Sequence, residues 1–244
     1  MQMKMIWPNS RVFLSRWFDD MQVVGYIRAP IAMMESKFQQ LLRRHYVRSL
    51  GDCYPHYRAS LEKFDSIFGR ESVQLWKFDP TRFPEGNVVR DFSARLQIPL
   101  QQEWLVRAND ALSRDAVSLL YAWRLRHGVA STPEEWRFEL RLIDKLRALS
   151  GPKVHFGEAL LRAELGNIAG DVAWMEERLG ESLAEESAPG GIDSLEELAD
   201  LSATALAWVE RQLGREIAPV TGDCEQLADW VEELVWKADP AAGN

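Results

Sequence analysis

The chain has 244 residues, 46% of them hydrophobic and 27% charged, ordinary globular material with enough apolar side chains for a core. No window reaches the ~20 apolar residues of a membrane span, and the start has no signal-peptide pattern. The net charge of −8 is uneven: residues 1–100 carry 15 Lys/Arg against 10 Asp/Glu, and the remainder 14 against 27. The acidic remainder argues against a nucleic-acid surface, which needs a basic stripe, whereas the basic first part favours a small anionic ligand.

Residues 11–18 read as a short helix. Val23 to Ile27 is an apolar run after the polar turn Asp19-Asp20, the pattern of a buried strand. Pro30 suits the first position of a helix, because its missing N–H has no partner there anyway. Ile31, Met34, Phe38, Leu41 and Leu42 then mark one helical face running to about Tyr46. Arg28 therefore sits at the carboxyl end of a strand and the amino end of a helix, where open α/β sheets bind ligands and helix termini attract anions. Ser36 follows about two turns into the helix. The basic helix end, Arg43, Arg44, His45 and Arg48, is either a solvated terminus or a lure for anions.

Tyr57, Leu61, Phe64, Ile67 and Phe68 recur at helical spacing, and Gly69 stops that helix. Val73 to Phe78 alternates as a half-buried strand, Pro80 to Gly86 is a loop, and Val88 to Leu96 is a short helix. From Asn109 only helices are expected. Ser113 heads one, and Thr132-Pro133-Glu134-Glu135 starts another with a capping box, burying Trp136, Leu140, Ile143 and Leu146 before Gly151-Pro152. A further helix spans about Gly157 to Leu179. After a polar linker around Gly190-Gly191, Ser194 starts a helix ending at Gly214, and Asp223 caps the last. No strand is expected after about residue 80.

Cys53 and Cys224 lack metal-ligand spacing and read as two idle thiols of a reducing, cytoplasmic setting. His45, His56, His127 and His155 form no metal motif, so no metal site is expected. His56 is the one histidine placed to act as a general base, weighed against a plain loop residue. Glu35 and Asp91 are carboxylates near the same segments.

The order of these segments resembles the sulfotransferase superfamily, whose donor is 3′-phosphoadenosine-5′-phosphosulfate (PAPS). The segments are Val23 to Gln40, Tyr57 to Gly69, Val73 to Asp79 and Val89 to Ile98; the part around Asp171 to Trp174 and Arg178 to Gly180 is similar to a bacterial subgroup. The resemblance covers roughly residues 10–100 and implies that Arg28 and Ser36 bind the donor's 3′-phosphate. It puts Phe78 beside the adenine, as an alternative to a plain core role, and leaves Tyr57 a core residue first and a ligand contact second. The family's glycine-rich 5′-phosphosulfate loop has no counterpart ahead of Val23, and no residue matches its catalytic base, so catalytic residues are unknown.

The expected architecture is α/β: a P-loop-type sulfotransferase-like core with a small parallel sheet and a mostly helical C-terminal half. Residues 1–108 form the α/β core, 109–180 its helical continuation and 192–238 a helical hairpin. The expected function is sulfuryl transfer from PAPS to a hydroxyl or amine acceptor, with an upstream segment supplied. The alternative is a non-catalytic nucleotide-binding or protein-interaction module. A homodimer covering an open sheet edge is the expected association.

Overall fold

The computed structural model describes residues 15–44, 49–105, 111–165, 168–185, 188–218 and 222–236. It is a mixed α/β protein with a small two-stranded parallel sheet. The chain divides into two compact units, one of Met1–Pro30, Pro55–Val106 and Asn167–Glu185, the other of Ile31–Tyr54, Arg107–Gly166 and Glu186–Asn244.

The first unit is α/β. Strands β1 (Val23–Ile27) and β2 (Val73–Lys77) pair in parallel with Ile27 opposite Lys77, and the Phe78 N–H extends the ladder to the Ile27 carbonyl at 2.7 Å. Helix α1 (Pro30–Arg44) leaves this unit at its first residue. Helix α2 (Tyr57–Phe68) stops at Gly69, whose φ of 88° disfavours a side chain. Helix α3 (Val88–Arg95) starts on Asn87, whose side chain accepts from the N–H groups of Val89 and Arg90.

Helix α7 (Ala169–Leu179) packs on α2 and β2. Arg178 from this helix forks onto Asp65 at 2.7 and 2.8 Å and onto the Val73 carbonyl at 2.8 Å, tying α2, β2 and α7 together. At the other end of α7, Asp171 accepts from the N–H groups of Tyr57 and Arg58 at 2.8 and 2.9 Å, capping α2 from a distant part of the chain.

The second unit is helical and is built around α4 (Arg114–His127), which is buried from Asp115 to Arg124. A helix covered on all sides must be apolar all round. The exceptions among its buried residues therefore have to be satisfied. Asp115 accepts from the Ser202 N–H and hydroxyl at 3.0 and 2.7 Å. Arg124 has no exposed surface and donates to both carboxylate oxygens of Glu139 and to the carbonyls of Leu42, Arg43 and Gly128. The Leu42 and Arg43 carbonyls lie in the last turn of α1, so a buried guanidinium completes that helix end.

Helices α5 (Pro133–Leu146) and α9 (Cys224–Trp236) pack on α4, and α6 (Glu158–Leu165) and α8 (Ala203–Leu213) belong to the same unit. Helix α9 packs on α4, α5 and α8 through a buried row that includes Leu227, Trp230, Val231 and Leu234. Gly191 matters here for room rather than for turning. A Cβ at Gly191 would lie 2.7 Å from the Gly157 nitrogen, where the backbone makes a parallel bridge between Phe156 and Ile192. The pair Gly190-Gly191, read as a plain linker turn, thus includes a close backbone approach.

Several expectations need correction. The buried face of α5 is Phe138, Glu139, Leu142, Ile143 and Leu146, and the helix ends at Leu146; Trp136 and Leu140 are exposed. The rotation follows from Phe138 stacking on Trp123 at 4.4 Å and from Glu139 meeting Arg124. The helix expected over 157–179 is two helices, α6 and α7, in different units. The helix expected from Ser194 begins only at Ala203. A short 3-10 turn, Glu196–Ala199, precedes it, because Ser202 is held by Asp115 and caps Ala205. Of the expected helix over 11–18, residues 11–14 lie outside the described residues and Ser15 to Trp17 form a turn. His45, Tyr46 and Arg48 also lie outside them. Both cysteines are free thiols, and burial raises the Cys53 pKa to about 11.

Candidate functional site

Parallel strands place alternate side chains on one face. Tyr26 in β1 and Arg28 just after it, with Trp76 in β2 and Phe78 just after it, therefore share a face at the carboxyl end of the sheet. Their rings interlock edge to face: Tyr26 meets Trp76 at 5.4 Å, Phe78 at 6.2 Å and Phe83 at 5.5 Å, and Trp76 meets Phe92 at 6.3 Å. Edge-to-face packing satisfies the ring quadrupoles and stiffens the platform.

Two guanidinium groups lie on this platform. The Arg28 carbon lies 4.2 Å from the centroid of Phe78, and that of Arg95 4.9 Å from the centroid of Trp76. Their electrostatic positions differ. Arg95 donates to Asp91 at 2.6 Å, and Asp91 also accepts from the Tyr26 hydroxyl. Burial pushes the Asp91 carboxyl up, but the bonds from Arg95 and Tyr26 outweigh it and hold it below its ordinary value. Burial and then the Asp91 bond and charge raise Tyr26 to about 12. This triad is closed.

Arg28 is open. Among the described residues its guanidinium has no hydrogen-bond partner beside its contact with Phe78. Burial pulls its pKa down, against the opposing charge of Glu185. Its backbone is anchored, since the buried Tyr57 hydroxyl donates to the Arg28 carbonyl at 2.6 Å. Tyr57 stays protonated there, its pKa raised first by burial and then by the charges of Glu185 and Asp171. Asp171 holds the Tyr57 N–H, so a chain of contacts runs from α7 through α2 to the end of β1.

The segment that follows α7 is tied to the end of β2 and to α7 itself. Lys77 donates to the Ser182 carbonyl at 2.7 Å, Arg82 pairs with Glu181 at 2.8 Å, and Glu176 accepts from the Leu183 N–H at 2.6 Å. These contacts hold the segment that ends in Glu185, whose carboxylate acts electrostatically on both Arg28 and Tyr57. A half-buried guanidinium lying on an aromatic ring has donors to offer an anion, and the negative charge of Glu185 beside it opposes one.

The sequence-predicted residues separate accordingly. Arg28 and Phe78 are brought together. Ser36 lies half-buried on α1 in the second unit. Glu35 is engaged structurally in that unit, accepting from the Phe156 N–H at 3.0 Å and meeting His155 at 3.2 Å. His56 is exposed, with a left-handed φ of 46° just before α2. Asp171 and Glu185 were not foreseen, since partners more than 100 positions apart leave no periodic signal. The Asp91–Arg95 pair does leave one, an i,i+4 acid–base spacing.

No group of three or more His, Cys, Asp or Glu side chains suited to a metal ion occurs among the described residues. No described helix is long and apolar enough to cross a membrane. No family model and no solved structure matches the chain. A stretch of 122 residues is 28% identical to an uncharacterized protein of Archaeoglobus fulgidus. That stretch is 48% of this chain and 33% of the archaeal protein, so the chain spans about a third of the length of the relative it matches.

Proposed function

We propose that the carboxyl end of the two-stranded sheet is the 3′-phosphate and adenine half-site for a PAPS-type nucleotide. The observation that carries this reading is the open Arg28 guanidinium at 4.2 Å over Phe78. Arg28 offers a planar fork to a phosphate, and Phe78 offers a ring to the base. Tyr57 holds the Arg28 backbone in place, and the Arg95–Asp91–Tyr26 triad keeps the rest of the platform neutral. The resemblance assigns Ser36 to the same phosphate; its contribution is a separate substitution.

The donor supplies the activated sulfuryl group. This chain supplies recognition of the nucleotide, and transfer to a hydroxyl or amine is proposed for the chain acting with a segment that binds the 5′-phosphosulfate. A second reading, a nucleotide-binding module without catalysis, is favoured by one observation. The carboxylates and phenols around the sheet end are already engaged: Asp91 with Tyr26 and Arg95, and Tyr57 with the Arg28 carbonyl.

Calorimetric titration with 3′-phosphoadenosine-5′-phosphate tests the half-site. Wild type binds, and Arg28→Ala loses about 1.5–3 kcal/mol, the worth of a hydrogen bond to a charged group. Arg95→Ala keeps binding, because that cation is already neutralised. No binding by the folded wild-type chain overturns the proposal. Added sulfuryl acceptors and an upstream loop segment then separate the enzyme from the module.

A further inference from the structure

The two edges of the sheet are not alike. Helix α7 packs on β2, and its Arg178 takes the Val73 carbonyl, which faces away from β1, at 2.8 Å. The outer edge of β1 is bare among the described residues, where β2 is the one element that makes more than marginal contact with the strand. The ladder gives the phase. The Phe78 N–H reaches the Ile27 carbonyl, so Val23, Gly25 and Ile27 turn their backbone groups toward β2, and Val24 and Tyr26 turn theirs outward. No hydrogen bond among the described residues reaches the N–H or the carbonyl of Val24 or Tyr26, and neither residue is buried.

The strand's own residues point to what completes this edge. Edge strands are ordinarily guarded by a charge, a proline or a bulge, and Val-Val-Gly-Tyr-Ile pairs with β2 without any of them. At its centre stands a glycine that the chain itself does not require. A Cβ at Gly25 would meet only the Leu75 side chain, at 3.7 Å, an ordinary contact, and Gly25 is not among the glycines of positive φ. Glycine inside a strand marks the close approach of another backbone. The strand is also its own complement. Laid antiparallel about Gly25, it sets Val24 against the partner's Tyr26, a β-branched residue on an aromatic one, and does so twice. A shift of two residues one way asks for the Arg28 carbonyl, which the Tyr57 hydroxyl holds at 2.6 Å. A shift of two the other way puts Gln22, outside the strand, against Tyr26.

We propose that β1 is a self-association edge, to which the β1 of a second copy of this chain adds antiparallel about a two-fold axis at Gly25. Val24 and Tyr26 of each copy exchange N–H to carbonyl bonds with the partner's Tyr26 and the partner's Val24, so that all the outward groups of the strand are used. Gly25 faces the partner's Gly25 in the narrow pair between them, with α-carbons about 4.5 Å apart. Val23 faces the partner's Ile27. The two small sheets become one, and the isologous contact closes at the dimer.

Sedimentation equilibrium of the full chain over a wide concentration range tests this, with thermal melts to confirm that each variant is folded. Wild type gives a dimer mass. Val24→Pro removes an outward N–H and no bond to β2, so it raises the dissociation constant about 30-fold, for two hydrogen bonds lost per dimer. Val24→Lys keeps the N–H and weakens the dimer roughly fivefold, for two cross-strand pairs lost. Gly25→Cys, placed at the narrow pair, forms a covalent dimer under mild oxidation that wild type does not. A wild-type monomer at every concentration overturns the proposal. A dimer indifferent to both Val24 variants overturns it as well, since the contact then lies elsewhere. So does a Gly25→Cys dimer that fails to link under oxidation.

Discussion

In the helical unit Arg124 is wholly buried and meets five acceptor oxygens; in the α/β unit Arg28 is half-buried and meets a ring. Both guanidinium groups lose water, and a buried ion is tolerated only when its donors are used. Arg124 uses them on Glu139 and three carbonyls, so it belongs to the architecture. Arg28, among the described residues, meets the Phe78 ring and the charge of Glu185, and its donors are what the proposed half-site uses. Arg95 falls between, stacked like Arg28 but neutralised like Arg124. What its donors meet, not how deeply it lies, distinguishes one guanidinium from the other.

The sharpest way to break this distinction is to remove each cation. Arg124→Met leaves Glu139 buried and alone, and urea unfolding should show a loss of about 3–5 kcal/mol. Arg28→Met should cost less than about 1 kcal/mol of stability while it weakens binding of 3′-phosphoadenosine-5′-phosphate by about 1.5–3 kcal/mol. Equal losses for the two variants would make Arg28 structural as well.

The anchoring beneath Arg28 is tested next. Asp171→Ala removes the cap on α2 and should destabilise the chain by about 1 kcal/mol, with weaker nucleotide binding as a consequence, because Tyr57 loses its backbone support. Unchanged affinity in a destabilised variant would detach α7 from the site.

The neutralised triad should respond to pH at both extremes. Asp91 sits below its ordinary value in the fold, so its contribution is present above pH ~4 and is lost as the pH falls through its folded value. Tyr26 is raised from 10 to about 12, so its contribution is full below pH 10 and disappears between 10 and about 12. Tyr26→Phe should flatten the alkaline limb of a urea-midpoint profile, with Tyr57, also raised, accounting for what persists. An identical alkaline limb in the variant would remove Tyr26 from the account.

The smallest effect concerns Glu185. Replacing it with Gln removes the charge that a ligand phosphate must share with Arg28. Affinity for 3′-phosphoadenosine-5′-phosphate should rise roughly fivefold at low salt, and less at high salt. Weaker binding would make Glu185 a ligand contact rather than a competitor.

Local signals were legible wherever local physics decides. The Pro30 start, the Gly69 stop, the Ser113 cap and the Thr132–Glu135 capping box all stand where the residues placed them. Both strands were readable, and so was the place of Arg28 just after the first strand, because the strand period breaks there. The face of α5 was not readable. Trp136 and Leu140 offer as good an apolar stripe as Phe138 and Leu142, and only the Trp123 ring and the Arg124 charge choose between them. The late start of α8 was hidden for the same reason, since Asp115 holds Ser202 from 87 positions away.

By itself, then, the sequence determined the mixed α/β character, most helix termini, the two strands and the position of Arg28 at a strand's end. These depend on side-chain period, backbone freedom and caps, all within a few residues of one another. Tertiary structure decided which arginine is neutralised, which apolar stripe is covered and which carboxylate caps which helix. Those outcomes depend on the desolvation of a group by neighbours remote in the chain, and desolvation is set only when the elements pack.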